Sequence, residues 1–476
     1  MEDSLNDDII YDEKDDAEDT HNSVEIANFD DEEDNLPDFD ALYEFYHNYM
    51  ERYVWNNPIY HQLLFHVIIG QVFKNIKIMK GGVALDGRIS LLLIQDQGTG
   101  KNTALYPFRG LTRKIQEEIG GNFKLVTTEL DEFSDAAIIG SYVNKGYDPI
   151  KKIYIVEKVK GAFDKDVSNI ITIKEAKTIF SRYRTQNSNI IQYINLALES
   201  IWQEGGTSKI TKRLVSGLTE CETVASLILT TFPTEDFSIE TLNSGILRRL
   251  LVYYHRIPLS EKLNNTVKGF EMLRKNEGEV NKFNSEVIDE ERIIAENIAD
   301  RYREYSNLKE IQFNFDNSAV KYISDFVKSH LPVYQNFPDD AEQTLSSIVA
   351  NYSDQALVIM AHRAIMCKRT NITKQDAEYA VSFIENLMVS VAKFVKYVYN
   401  NEYSFKHKKW KEEVDKKKIN KIEKFIKNNG GKVLKKNLLK YIMTTMKKSK
   451  SNSYRDYKLI INRNIVREEN GYVILN

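Results

Sequence analysis

A short loop with two glycines and a lysine is the segment of this sequence best suited to chemistry. It lies between the apolar run 89–94 and a segment with helical spacing. Its members are Gly98, Thr99, Gly100, Lys101, Asn102 and Thr103. Glycines let backbone N–H groups turn inward around phosphate oxygens, and the N-terminus of a following helix adds partial positive charge. Lys101 is placed to reach the β- and γ-phosphates. We therefore predict a nucleotide-binding loop.

The loop departs from the phosphate-loop pattern G-x-x-x-x-G-K-[ST] at two positions. Gln95 stands at the first glycine, and Asn102 stands at the Ser/Thr that would bind Mg²⁺. The side-chain oxygen of Asn102 or of Thr103 is a substitute ligand, and we take Asn102 as the metal-ligand candidate. ATP and Mg²⁺ are the expected cofactors.

Strands and helices alternate around the loop. The apolar runs 89–94, 169–173 and 225–231 are bounded by Gly or polar residues, which suits strands buried on both faces of a parallel sheet. Residues 285–400 have helical spacing, with Thr373 as the N-cap of one helix. This order predicts an α/β core followed by a helical region.

Acidic residues dominate one end of the chain and basic residues the other. Residues 1–40 hold 18 Asp and Glu against one Lys, whereas 406–476 hold 21 Lys and Arg against 7 Asp and Glu. We expect residues 1–38 to be a disordered acidic tail. It would act as a solubilising segment, as a DNA mimic that folds back on the basic end, or as a docking arm for a partner.

The two cysteines, Cys221 and Cys367, cannot build a disulfide framework, so we expect a reducing intracellular compartment. A continuous apolar run of about 18 residues is missing from the sequence, so no membrane partner is expected.

The basic end has the pattern of a small folded domain. Helical spacing at 420–428, 434–446 and 452–462 precedes two apolar strands around a Glu-Asn-Gly turn. This pattern predicts a winged helix whose third helix enters the major groove of DNA, although a protein-docking role stays open. The basic residues expected to contact DNA are Lys447, Lys448, Lys450, Arg455, Lys458 and Arg463.

Residues 55–385 resemble, in the order of their motifs, the AAA+ motor of the minichromosome maintenance (MCM) replicative helicases. NPIYHQLLFHVIIGQVF at 57–73 is similar to the family's helix before the core. GGVALDGRISLLLIQDQGTGKN at 81–102 is similar to its Gly-Gly, strand and phosphate-loop segment. The sequence shows no counterpart of the family's N-terminal zinc and OB-fold domains.

The resemblance implies a division of the chain into four parts. After the acidic tail at 1–38, an AAA+ P-loop ATPase core is expected at 39–265. A helical lid with connecting helices follows at 266–405, and a basic winged-helix domain at 406–476.

KGAFDKDVSNIITIKEA at 160–176 resembles the family's Walker B segment. Counting from Gly161 places Glu175 at the catalytic Glu that orients the attacking water, and Lys174 at the Walker B Asp. The run 153–158, with Glu157, is a competing Walker B strand. We prefer Glu175 because the Gly161-Ala162 spacing fits.

Two further segments are implied to act in catalysis and in an oligomer. Thr231 falls in the sensor 1 strand, and Arg249 of SGILRRLLVYY falls on the family's arginine finger. A finger reaches into the nucleotide of a neighbouring subunit, so it requires an oligomer, expected here to be a homohexameric ring. The family's β-hairpin in the central channel supplies the DNA-contact candidates Lys209, Lys212 and Arg213.

The leading interpretation is an ATP-dependent DNA helicase or translocase that acts in DNA replication. In this interpretation, the partners expected for the acidic tail are replication proteins. The alternative is a nucleotide-binding but weakly hydrolysing DNA-binding scaffold or replication initiator. It is favoured by Gln95, Asn102 and Lys174, and by the lack of the family's sensor 2 Arg, whose place falls near Tyr352. A third interpretation, an AAA+ transcription activator, draws on Gly-Ala-Phe at 161–163, but this motif lies too close to the Glu175 strand.

Overall fold

The computed structural model describes most of the chain after the acidic tail. The described residues are 39–53, 57–131, 134–148, 150, 153–180, 190–203, 208–214, 217–234, 237, 239, 242, 245–260, 262–263, 267, 270, 277–330, 339–445, 450–462 and 465–476. The predicted tail, Lys447, Lys448 and Arg463 lie outside them.

Strands and helices alternate through the first part of the described chain, and helices dominate the second part. The strands are β1 (Ile76–Lys80), β2 (Val83–Asp86), β3 (Leu91–Gln95), β4 (Thr127–Glu129), β5 (Ser141–Asp148), β6 (Ile153–Val159), β7 (Ile170–Ile173), β8 (Ser208–Leu214), β9 (Gly217–Thr223), β10 (Ser226–Thr231), β11 (Leu251–His255), β12 (Ile311–Gln312), β13 (Asn314–Phe315), β14 (Asn371–Ile372), β15 (Lys432–Leu434), β16 (Val466–Glu469) and β17 (Tyr472–Leu475). The α-helices are α1 (Phe39–Glu51), α2 (Pro58–Val72), α3 (Leu105–Ile119), α4 (Asp135–Ile139), α5 (Lys177–Phe180), α6 (Ile190–Ala197), α7 (Glu277–Tyr305), α8 (Asn317–His330), α9 (Asp339–Met366), α10 (Lys374–Asn428), α11 (Lys435–Thr445) and α12 (Lys450–Asn462).

Five parallel strands form the central sheet, in the order β11-β3-β10-β7-β4. The three predicted apolar runs are confirmed as β3, β7 and β10, and each strand is buried along its whole length. A strand covered on both faces has no solvent side, which explains why these runs lack polar alternation. The carboxyl ends of all five strands meet at one edge, where the loops after β3, β7 and β10 lie together.

The run 153–158, the competing candidate for the Walker B strand, does not join the central sheet. Residues 153–159 form β6, which pairs antiparallel with β5 in a separate two-stranded hairpin. Glu157 lies on this hairpin, where its carboxylate oxygen is 2.9 Å from Lys145 Nζ. The central sheet has β7 beside β10, as the choice of Glu175 requires.

Helix α2 is buried almost all round, because its sequence is apolar on every face. Its imidazole His66 Nδ1 lies 3.1 Å from His362 Nδ1 on α9, and His362 Nε2 is 2.7 Å from the Gly87 carbonyl oxygen ahead of β3. Both rings are fully buried. They connect α2, α9 and the segment that leads into β3.

Acid should destabilise this arrangement. Burial lowers the pKa of His362 to about 4, against the opposing effect of the Gly87 hydrogen bond, and burial beside His362 holds the pKa of His66 well below its usual range. The folded imidazoles therefore stay neutral, while the unfolded chain takes up protons below about pH 6.5. Stability falls as pH drops, with an expected loss of about 2 kcal/mol at His362 alone between pH 7 and pH 5.

Chemical denaturation across this range measures the effect. The free energy of unfolding of the variant His362→Gln should depend less steeply on pH than that of the unmodified chain, whatever the stability of the variant at pH 7. Equal slopes for the two proteins would contradict the assignment of the acid sensitivity to this imidazole.

Helix α10 runs without a break for 55 residues. Thr373 is confirmed as its N-cap, in a capping box in which the Thr373 backbone N–H donates to Asp376 Oδ2 at 2.8 Å. The predicted separate helix at 420–428 is the end of α10, and the expected boundary between 405 and 406 falls inside it. About a third of the way along this helix, Ser390 Oγ accepts from the Tyr254 backbone N–H and donates to the Tyr254 carbonyl oxygen of β11, at 2.5 and 3.0 Å.

The C-terminal residues have an apolar cluster of their own. Ile422, Ile426, Leu438, Ile460 and Val473 are among its buried members. The antiparallel sheet β15-β17-β16 covers this cluster.

The predicted terminal hairpin is confirmed as β16 and β17. Asn470 and Gly471 between its strands have φ of 49° and 76°. Positive φ at both central residues is what a type I′ hairpin turn requires. Within the described part of the chain, every helix falls short of the length or apolarity needed to span a bilayer.

Candidate nucleotide site

The predicted loop follows β3 at the carboxyl edge of the central sheet. Gly98 and Gly100 have φ of 75° and 74°, in the left-handed region that favours glycine. A turn at 101–104 leads into α3, and the Ala104 N–H donates to the Gly100 carbonyl oxygen at 2.9 Å. The predicted order of strand, glycine loop and helix is confirmed.

Lys101 is folded into the loop. Its ammonium donates to the Asp96 carbonyl oxygen at 3.1 Å, and only 9% of the residue is exposed. Burial lowers the pKa of Lys101, although Asp96 and Glu175 oppose that shift and Lys262 adds to it. Tyr60 on α2 donates from its hydroxyl to the Lys101 carbonyl oxygen at 2.6 Å, which fixes the backbone at this position.

Two further cations lie at the loop. The carboxylate of Asp96 is 3.6 Å from Arg256 Nε and 3.3 Å from Lys262 Nζ. Both cations follow β11, whose last residue His255 is in register with Gln95. We did not predict them from the sequence, because only the pairing of β11 with β3 brings them beside the loop.

Strand β10 reaches the loop through Thr230. The Thr230 hydroxyl donates to Asn102 Oδ1 at 2.9 Å, whereas the Thr231 hydroxyl donates to the Phe232 carbonyl oxygen at 3.4 Å. Both threonines are fully buried. The predicted sensor residue Thr231 is therefore adjacent to the one that contacts the loop.

Lys174, at the position expected for the Walker B Asp, is part of an ion-pair cluster. Lys174 Nζ lies 2.6 Å from Glu129 Oε1, and an Arg109 guanidinium nitrogen lies 2.5 Å from Glu129 Oε2. Burial works to raise the pKa of Glu129, but the hydrogen bonds from Lys174 and Arg109 outweigh it and hold the pKa below its usual range. Glu129 ends β4, so its place in the site follows from the pairing of β4 with β7.

Glu175 lies at the end of β7 with an unusual backbone. Its φ is 55°, a left-handed conformation that costs a non-glycine residue roughly 1–3 kcal/mol and is concentrated at functional sites. The side chain is exposed, and its carboxylate is 3.5 Å from Lys177 Nζ. The structure thus brings Glu175 to the same edge of the sheet as Lys101.

Arg249 lies at the opposite edge. It precedes β11, whose first residue Leu251 is in register with Leu91 at the start of β3. The five residues of β3 separate the two edges by about 16 Å. Arg249 lines a cavity of about 220 Å³ beside Arg248, with its guanidinium 3.5 Å from a Glu199 carboxylate oxygen.

The predicted DNA-contact hairpin is present as β8 and β9. The register aligns Lys209 with Glu222, Lys212 with Thr219, and Arg213 with Leu218. Lys209 is exposed. In the C-terminal region, Lys450, Arg455 and Lys458 all lie on α12, and the side chain of Lys458 is exposed.

The chain matches no protein-family model, and no curated protein matches it. Its function is therefore inferred from the geometry of the site and from the resemblance of its motifs.

Proposed function

We propose that this protein is an ATP-dependent DNA helicase or translocase of the MCM-like AAA+ type, acting in DNA replication as a ring. The observation that carries the proposal is the juxtaposition at one sheet edge of the Lys101 loop and the strained Glu175. In P-loop chemistry, a lysine contacts the phosphates and a carboxylate orients the attacking water. The strand order, with β10 between β3 and β7, is that of AAA+ cores and supports the same class.

The ring is supported by the position of Arg249. Arg249 precedes β11 at the edge of the sheet opposite the loop, about 16 Å away along the five residues of β3, so it is placed away from the Lys101 loop of its own chain. It can serve the loop of an adjacent copy if the subunits pack head to tail, a heterologous contact that closes into a ring. A hexamer remains our expectation for this ring.

DNA is the proposed partner of two basic surfaces. One is the β8–β9 hairpin with Lys209, Lys212 and Arg213, and the other is the C-terminal unit, which we interpret as a winged helix. The chain from 406 onward carries 21 Lys and Arg against 7 Asp and Glu. Such an excess favours contact with the phosphate backbone and makes binding weaken steeply with salt.

Turnover of ATP by the full chain, with and without single-stranded DNA, tests the proposal. Lys101→Ala should reduce DNA-stimulated hydrolysis by roughly 10²-fold or more, because the ammonium stabilises charge on the transferring phosphoryl group. Lys114→Ala is the matched control, since Lys114 lies on α3, the helix that follows the loop, and pairs with Glu118 away from the loop. Turnover that is identical in the two variants would refute a catalytic role for this loop.

The second candidate is a scaffold or initiator that binds ATP and DNA but hydrolyses weakly. The Lys174–Glu129 pair favours this candidate, because the Lys174 ammonium occupies the position at which MCM-like AAA+ proteins have the Walker B carboxylate. ATP binding lost in Lys101→Ala, together with turnover at background in the unmodified chain, would select this candidate.

A further inference from the structure

The resemblance implies Mg²⁺ beside the triphosphate, and the residues present do not fit that ion. Mg²⁺ prefers octahedral oxygen ligands and usually relies on one or two carboxylates plus phosphate oxygens. The side-chain oxygen at the Ser/Thr position belongs to Asn102 and already accepts the Thr230 hydroxyl at 2.9 Å. In the described part of the chain, no group of three or more His, Cys, Asp or Glu is arranged to hold a metal.

The carboxylate of Glu129, at the carboxyl edge of the central sheet, is already paired with two cations of the protein. Glu129 has one oxygen 2.6 Å from Lys174 Nζ and the other 2.5 Å from an Arg109 nitrogen. An ammonium at the Walker B position also repels a divalent cation. Positive charge therefore occupies the position at which a carboxylate would orient water around Mg²⁺.

The same edge of the sheet has more cations than a phosphate loop needs for a metal-bound nucleotide. Arg256 and Lys262 both contact the carboxylate of Asp96, which directly follows β3. Lys101 donates to the backbone carbonyl oxygen of that same residue at 3.1 Å. Three positive groups therefore converge on Asp96, and a triphosphate that enters the loop offers them a stronger acceptor.

Resting on the proposed function, we infer that this loop binds the triphosphate of a nucleotide without a divalent cation. Arg256 and Lys262 supply the positive charge that a metal ion supplies in other P-loop proteins. Asp96 holds the two side chains at the loop until the phosphates replace it as their partner. Guanidinium and ammonium groups bind phosphate oxygens through charge-assisted hydrogen bonds, so they need no metal bridge.

Equilibrium binding of a fluorescent ATP analogue to the full chain tests the inference, in excess Mg²⁺ and in excess EDTA. We expect the two dissociation constants to agree within about threefold. In EDTA, Arg256→Ala and Lys262→Ala should each weaken binding by roughly tenfold or more, the range for a hydrogen bond to a charged group. Arg256 is largely exposed, so its replacement leaves the core unchanged.

Lys114→Ala again serves as the control and should bind the analogue as the unmodified chain does in both buffers. Binding that is more than tenfold weaker in EDTA would overturn the inference and leave the proposed ATPase intact. The inference also fails if Arg256→Ala and Lys262→Ala both bind normally in EDTA. Absence of binding in both buffers would overturn the proposed function itself, so the two failures are distinguishable.

Discussion

Replacement of Arg249 by alanine is expected to lower ATP turnover by roughly 10³–10⁵-fold, the range for arginine fingers. Affinity for the nucleotide should change by less than about threefold, because a finger acts mainly on charge that develops in the transition state. Arg249 lies at the sheet edge opposite the Lys101 loop, so the site that the proposed finger completes would belong to a neighbouring copy. Single-turnover hydrolysis and equilibrium binding measure the two quantities separately.

A mixing experiment shows whether the contact is made between copies. The two variants Arg249→Ala and Lys101→Ala are mixed. The first retains Lys101 and the second retains Arg249, so a mixed ring would contain some interfaces in which both residues are present. Random assembly should restore roughly a quarter of the activity of the unmodified ring if the contact is heterologous. Arg248→Ala is the control, since this neighbouring residue is exposed and should have a small effect. Mixed samples that stay inactive would argue against a shared site.

The variant Gly70→Ala is expected to destabilise the fold by about 3 kcal/mol, at the upper end of the cost of overpacking. A Cβ atom at Gly70 in α2 would lie 2.3 Å from the Gly87 carbonyl oxygen and 3.2 Å from the His362 ring. The carbonyl is backbone and cannot rotate away. The collision would therefore separate α2 from the segment before β3 and disturb the buried imidazole pair.

Gly110→Ala is the matched control, because Gly110 also lies inside a helix, α3. Its Cβ would lie 2.9 Å from the Glu291 carboxylate, the end of a flexible side chain, and 3.8 Å from the Tyr49 hydroxyl, an ordinary van der Waals contact. Both substitutions gain about 1 kcal/mol of helix propensity, so the difference between them isolates the backbone collision. Urea denaturation of both variants measures the difference. Equal free energies of unfolding would show that the segment at Gly87 can move away from α2 without a loss of stability.

The parts of the fold that depend on short, local sequence patterns were predicted from the sequence. The strands β3, β7 and β10 are short and wholly apolar, and the loop after β3 has glycines at its two left-handed positions. The Thr373 capping box and the Asn-Gly hairpin turn are also local signals. The run 153–158 was a competing candidate for the Walker B strand because its first four residues are as apolar as those of a central strand. Its antiparallel partner β5 is chosen by tertiary contacts.

The candidate site was predicted less completely for a geometric reason. Side chains alternate faces along a strand, so the one-residue difference between Thr231 and Thr230 decides which hydroxyl reaches the loop. Glu129, Arg256 and Lys262 lie far from the loop in sequence. Only the strand order, with β11 beside β3 and β4 beside β7, places them at the same edge.

The unbroken helix α10 has a mechanical consequence. Its 55 residues correspond to a length of about 80 Å, with one end packed against α9 and the other in the apolar cluster of the C-terminal residues. Ser390 hydrogen-bonds this helix to Tyr254, two residues before Arg256, which lies beside the Lys101 loop. A tilt of about 5° at that contact would move the far end by several ångströms, given the rise of about 1.5 Å per residue. If the proposed site binds phosphate beside Arg256, small adjustments there would therefore become large displacements of the surface proposed to hold DNA.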